Sequence, residues 1–265
     1  MDGISFEVES HEIFGLLGPN GAGKTTTVNM AVGLIEPDSG TVELSGLGSP
    51  SNPKVRARIG VAPQTLSLYD DLSAQENLEC FGKVYGLSAG RLKERVAWSL
   101  DFVGLSERKN DRVKKFSGGM KRRLNLAVAL VHGPEYLILD EPTAGVDPQS
   151  RNAIFENIDQ LKKQGSTIIY TTHYMEEAQR LCDRVAIMDR GKLLALDRVD
   201  ALIKQYGGNS TVIADRVAGE QIIETKNPIE EILKLQKEAD LRGFRILQPS
   251  LETVFLSLTG RTLRD

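Results

Sequence analysis

The chain has 265 residues, enough to bury a substantial core as one large domain or one domain with a small appendage, and its 40% hydrophobic and 26% charged content excludes disordered, collagen-like and low-complexity readings. With 33 Lys and Arg against 36 Asp and Glu, the net charge is -3, so there is no global basic excess to track a phosphate backbone and no nucleic-acid partner is expected. The two cysteines, Cys80 and Cys182, lie far apart in the chain, which argues against a disulfide framework or a zinc knuckle and fits a reducing cytoplasm.

Ile4, Phe6 and Val8 alternate with polar residues and predict an edge strand, and the apolar run Ile13-Phe14-Gly15-Leu16-Leu17 predicts a buried one. A glycine-rich turn follows, then a helix over 25–34 that the turn Pro37-Asp38-Ser39-Gly40 brings to an end. The period then becomes helical: Leu78, Phe81, Val84 and Tyr85 share one face, and Leu92, Val96, Leu100 and Val103 another. These predict an inserted helical subdomain over about 68–133. Strand 136–139, helix 150–164, strand 167–170, helix 175–181 and strand 185–188 come next, and buried parallel strands of this kind need helices on both faces. A polar turn at Asp189-Arg190-Gly191-Lys192 leads to an apolar run over 193–196, so this pair reads as a hairpin closing a core domain over 1–206. Gly207-Gly208-Asn209-Ser210 reads as a boundary. Beyond it, strands over 211–214, 221–225 and 244–247 and a helix from Pro228 to Asp240 predict a small α+β accessory domain over 207–265. No run approaches the ~18–20 apolar residues that span a bilayer, and the first residues lack an apolar signal region, so a soluble, non-secreted chain is expected.

Gly18-Pro19-Asn20-Gly21-Ala22-Gly23-Lys24-Thr25 fits the phosphate-loop pattern G-x-x-x-x-G-K-[ST], with a strand before it and a helix after. Gly21 and Gly23 permit backbone angles that turn successive N–H groups inward, and the helix N-terminus adds partial positive charge. Lys24 supplies a full charge at the β- and γ-phosphates, Thr25 offers a hydroxyl to Mg²⁺, and Thr26 continues the phosphate-binding segment. Thr26 also stands where a dinucleotide motif would need its third glycine, so NAD is disfavoured. Tyr136-Leu137-Ile138-Leu139-Asp140-Glu141 puts two acids at the end of a buried strand. Asp140 is suited to hold Mg²⁺, largely through water, and Glu141, one residue further on, to polarise an attacking water.

Phe116-Ser117-Gly118-Gly119-Met120-Lys121-Arg122-Arg123 precedes a helix carrying Leu124, Ala127, Val128 and Val131. Ser117 is a good N-cap, and the glycines leave backbone donors free to receive a phosphate. With the phosphate loop and Leu139-Asp140-Glu141-Pro142-Thr143, this segment resembles the signature segment of ATP-binding cassette (ABC) ATPases, with Phe and Met in place of the common Leu and Gln. The resemblance covers roughly residues 1–200. It implies a P-loop NTPase core, a mixed and mainly parallel α/β sheet, that binds ATP with Mg²⁺. It also implies a dimer in which Ser117, Gly118 and Gly119 complete the site of the opposite subunit, so that two ATP molecules lie in a head-to-tail sandwich.

By the same resemblance, Gln64 contacts Mg²⁺ and the attacking water and joins the core to the helical subdomain. Ala144-Gly145-Val146-Asp147 resembles the loop that crosses the dimer interface, and Asp147 is also a good N-cap before Pro148. His173, after the strand at 167–170, resembles the histidine that contacts the γ-phosphate. Glu141, His173 and Gln64 are thus the implied catalytic residues; Thr25, Gln64 and Asp140 are the implied Mg²⁺ ligands. Family members usually stack an aromatic residue on adenine. Counted back from Lys24, it would fall before Met1, so no residue here matches it. The resemblance further implies a separate transmembrane permease that docks near Gln64 and residues 68–86, and a peripheral position on the inner face of the cell membrane. The tail, Gln248-Pro249-Ser250-Leu251-Glu252-Thr253-Val254-Phe255-Leu256-Ser257-Leu258-Thr259-Gly260-Arg261, resembles the ending of the bacterial drug-resistance exporter branch. Export of drugs or other small or amphipathic compounds is therefore expected ahead of import. A soluble, non-transport ABC ATPase would carry a coiled-coil insertion or two cassettes, and a GTPase would carry N-K-x-D; neither pattern is found.

Overall fold

The structure, a computed structural model, describes residues 1–237 and 240–260. The chain divides into two compact units, residues 1–194 and residues 195–265.

In the first unit, β1 (Ile13–Leu17) leads through the glycine loop into α1 (Lys24–Ala31), and one turn of helix, α2 (Pro53–Arg56), precedes β2 (Ile59–Ala62). The helical subdomain supplies α3 (Ala74–Val84), α4 (Ala89–Phe102) and α5 (Gly118–Leu130). The α/β alternation then runs through β3 (Tyr136–Asp140), α6 (Pro148–Lys163), β4 (Thr167–Thr172), α7 (Met175–Leu181), β5 (Arg184–Asp189) and β6 (Lys192–Arg198). The sheet order is β2-β3-β4-β1-β5-β6, with the pairs β2/β3, β3/β4, β4/β1 and β1/β5 all parallel. The apolar run of β1 is buried at every residue, because a central parallel strand is covered on both faces.

Local chemistry sets the helix starts. Before α3, the Ser73 hydroxyl accepts from the Glu76 N–H at 3.2 Å and the Glu76 carboxylate accepts from the Ser73 N–H at 2.7 Å, a reciprocal cap. Asp147 accepts from the Ser150 N–H at 2.9 Å to open α6, and Pro148 takes the first helical position, where no N–H is needed.

Two expected elements differ. The alternation of Ile4, Phe6 and Val8 is present as half-buried residues, and Phe6 stacks on Phe14 with ring centroids 5.2 Å apart. No strand forms there, because an extended segment becomes a strand only with a ladder partner, and among the described residues it has none. The helix expected over 25–34 ends at Ala31, since Gly33 turns left-handed at φ 69° and a Cβ there would stand 2.6 Å from the Pro50 carbonyl oxygen.

The division between the units falls within β6, so α8 (Val199–Tyr206) belongs to the second unit, whereas the sequence suggested a break at the Gly207-Gly208 turn. The second unit continues with β7 (Ser210–Arg216), β8 (Gly219–Thr225), α9 (Pro228–Leu235), β9 (Leu241–Leu247) and α10 (Leu251–Thr259). Its strands form an antiparallel sheet in the order β8-β7-β9. Ile232 and Leu235 of α9 pack on Val212 and Ala214 of β7, giving this unit its own small core. The helix expected to reach Asp240 stops at Leu235; residues 238 and 239 of that expectation lie outside the described residues. Helix α10 buries Leu251, Val254 and Phe255 and ends on left-handed Gly260, while Arg261 of the tail pattern lies outside the described residues. Among the described residues, no helix is long and apolar enough to cross a membrane.

Candidate active site

Parallel neighbours end at the same edge of a sheet, so β2, β3, β4 and β1 deliver four loops to one place. Gln64 follows β2, Asp140 ends β3 and Glu141 leaves it, His173 follows β4, and the glycine loop follows β1.

In that loop the Lys24 ammonium is 5% exposed and donates to the carbonyl oxygens of Gly18 at 2.8 Å and Pro19 at 3.1 Å. It also lies 3.3 Å from Glu141 Oε1, a buried ion pair that offsets the desolvation of both groups. Gly23 caps α1 at φ 104°, which a side chain would strain. Gly18 is required for space, since a Cβ there would stand 2.2 Å from the Met188 carbonyl oxygen.

Asp140 and Thr171 are register partners across β3 and β4. The Thr171 hydroxyl donates to Asp140 Oδ1 and accepts from the Glu141 N–H at 3.0 Å. Thr25 donates to Asp140 Oδ2 at 3.2 Å, so the hydroxyl and carboxylate assigned to Mg²⁺ face each other. That pair of hard oxygen donors suits the ion, which keeps much of its water and takes few protein ligands. Glu141 is left-handed at φ 46°, an unusual conformation for a residue with a side chain. The turn aims its carboxylate across the strand ends: the Gln64 amide donates to Oε2 at 3.0 Å, and His173 Nδ1 stands 3.1 Å from Oε1 without the alignment of a hydrogen bond.

The structure thus brings Lys24, Thr25, Gln64, Asp140, Glu141 and His173 together. Ser117, Gly118 and Gly119 are elsewhere: among the described residues no hydrogen bond or ion pair joins them to the glycine loop. Ser117 accepts from the Met120 N–H at 3.2 Å, and Gly119 lies against the start of α6, where a Cβ would stand 2.0 Å from Ser150 Oγ. Hydrogen bonds from Ser150 hold the Asp147 carboxyl below the usual range.

Three residues that the sequence reading did not single out also serve this edge. Thr171 orients Asp140, as above. The Arg122 guanidinium donates to the carbonyl oxygens of Gln64 and, at 3.3 Å, Ala144, tying α5 to the loops after β2 and β3. Burial lowers its pKa, opposed by the carboxylates of Glu141 and Asp140. Glu177, on α7, is buried and accepts hydrogen bonds from three hydroxyls. In sequence, Arg122 is one residue of a basic run and Glu177 one of two adjacent acids; only the packing of α5 and α7 separates them from their neighbours.

The sequence pattern of the ABC transporter family matches residues 1–144 of this chain, more than half of it. The chain belongs to the ABC transporter family. Among its relatives in the ABC transporter family, the linearmycin resistance ATP-binding protein LnrL of Bacillus subtilis (strain 168) is 44% identical, the match covering 99% of this chain and 94% of the relative. The Nod factor export ATP-binding protein I of Paraburkholderia xenovorans (strain LB400) is 42% identical, covering 100% and 93%. A solved ATP-binding subunit of an ABC transporter superposes with a TM-score of 0.68 at 32% identity, covering 76% of this chain and 85% of that one. A dimeric ATP-binding cassette in a post-hydrolysis state, at 24% identity and a TM-score of 0.66, shares the fold. The mainly parallel α/β P-loop core expected from the sequence is the one observed.

Proposed function

We propose that this chain is the ATP-binding and ATP-hydrolysing subunit that energises a membrane exporter. The observation that carries the reading is the Glu141 carboxylate, held at the sheet edge by the Gln64 amide and the Lys24 ammonium beside a complete phosphate loop. The N–H groups at the start of α1 and the Lys24 ammonium bind the β- and γ-phosphates, and Lys24 exchanges its loop carbonyls for phosphate oxygens. Glu141 accepts a proton from the attacking water, Gln64 orients that water, and His173 contacts the γ-phosphate, with ADP as leaving group. Thr25 and Asp140, with Gln64 beside them, would hold Mg²⁺, which neutralises charge on the phosphate oxygens when bound.

Ser117 caps α5, and among the described residues no hydrogen bond or ion pair joins Ser117, Gly118 or Gly119 to their own phosphate loop, which supports the reading that they close on the ATP of a second subunit, identical or paired. The names of the relatives, linearmycin resistance and Nod factor export, support export of drugs or other small or amphipathic compounds. A separate transmembrane permease then docks at the surface around Gln64 and residues 68–86, and the subunit sits peripherally on the inner face of the membrane.

The test is the solution mass of a Glu141→Gln variant, by size exclusion with light scattering. ATP with Mg²⁺ is expected to double the mass. A mass that stays monomeric although nucleotide binds would overturn the two-ATP sandwich for the isolated subunit.

A further inference from the structure

Glu177 stands in the first turn of α7 with 3% exposure. A buried carboxylate is costly unless its lone pairs are fully used. Here no cation forms an ion pair with it among the described residues; hydroxyls solvate it instead. The Thr143 hydroxyl lies 2.8 and 3.0 Å from its two oxygens, Tyr170 Oη donates at 2.8 Å, and Thr172 Oγ1 donates at 3.0 Å.

The position of those hydroxyls in the chain matters more than their number. Thr143 lies two residues past Glu141, in a turn closed by the Ala144 N–H on the Glu141 carbonyl oxygen at 3.1 Å. Thr172 immediately precedes His173, and its hydroxyl also accepts from the Tyr174 N–H at 2.9 Å, so the backbone is fixed on both sides of His173. One carboxylate therefore fastens the segment carrying His173 to the segment carrying Glu141. Burial and the neighbouring Glu177 charge push the Tyr170 phenol well above its ordinary value, which keeps it a donor.

We infer that Glu177 is a positioning residue for ATP hydrolysis: it sets the register between His173 and Glu141 by anchoring Thr172 and Thr143 on one buried carboxylate. The inference rests on the roles proposed above for those two site residues. A Gln at 177 keeps the shape but removes the negative charge and puts an amide N–H₂ in place of one carboxylate oxygen, so the hydroxyls lose their charged acceptor and the one facing the N–H₂ must turn to accept.

The test measures kcat and KM for ATP on the full chain for Glu177→Gln, His173→Ala and the double variant. Glu177→Gln is expected to lower kcat about tenfold while KM stays within about twofold, as displacement of a reacting group does. Because Glu177 acts on the register between His173 and Glu141, its substitution is expected to cost less in the His173→Ala background than in the parent, so the double variant loses less than the product of the two single losses. A fully multiplicative loss in the double variant, or an unchanged kcat in Glu177→Gln, would overturn the inference and leave the site reading intact. Unchanged turnover in His173→Ala would overturn both. Should Glu177→Gln fail to fold, Thr143→Val removes one anchor without a new polar group; a lowered kcat restored by Thr143→Ser supports the inference, and equal kcat in all three overturns it.

Discussion

The left-handed backbone of Glu141 costs about 1–2 kcal/mol for a residue with a Cβ, and the site recovers it through contacts to Gln64, Lys24 and the backbone of β4. The conformation makes sense for a group that must face a water on the phosphate rather than continue the strand. Glu141→Gln, nearly identical in shape, is expected to slow phosphate release about 10²–10⁴-fold while a nucleotide titration gives ATP affinity close to the parent. Turnover equal to the parent would remove Glu141 as the base. At this scale the sequence was informative wherever the chemistry depends on residue type at fixed spacing: the glycine loop, Asp140 and Glu141 can be read without coordinates. Thr171 could not, because its contact with Asp140 depends on which strands are neighbours. Arg122 and Glu177 depend on how two helices are rotated.

Elements show the same division. Strand β1 and helix α6 were legible from an apolar run and from Asp147-Pro148, whereas the segment around Phe6 has strand periodicity and no ladder. Tertiary pairing overrode pattern there. Close packing between elements is also invisible in sequence: Gly60 of β2 lies so near the end of α5 that a Cβ would stand 2.2 Å from the Ala129 carbonyl oxygen and 2.8 Å from Leu137 Cδ2 and Pro134 Cγ. Backbone cannot yield as a side-chain tip can. Gly60→Ala is therefore expected to destabilise by about 1–3 kcal/mol, lowering the thermal midpoint by several degrees. A midpoint within a degree of the parent would contradict that packing.

For the whole molecule, acid stability is set partly by His132, just after α5. Burial, opposed by the nearby Ile59 backbone and helped by a smaller contribution from the charge of Arg95, pushes its pKa down to about 4, and its ring stacks on Tyr85 with centroids 3.7 Å apart. The unfolded chain then binds the proton first, near pH 6.5, so stability falls as pH drops from about 6.5 toward 4. The loss at pH 5 is expected to be on the order of 2 kcal/mol in urea melts compared with pH 7.5, and His132→Phe should remove most of it. An equal pH slope in that variant would assign the effect to other groups.

Strands β2 and β3 are neighbours in the sheet, yet the whole helical subdomain is inserted between them. It is joined to the core by two chain crossings and by side-chain bonds, among them Asn125 of α5 donating to the Pro63 carbonyl oxygen at 3.1 Å and Arg122 gripping the carbonyl oxygens of Gln64 and Ala144. Geometrically this is a lever pivoted beside the sheet. Any tilt of α5 pulls on both loops flanking Glu141 at once, so the subdomain and the hydrolytic carboxylate cannot take up their positions independently.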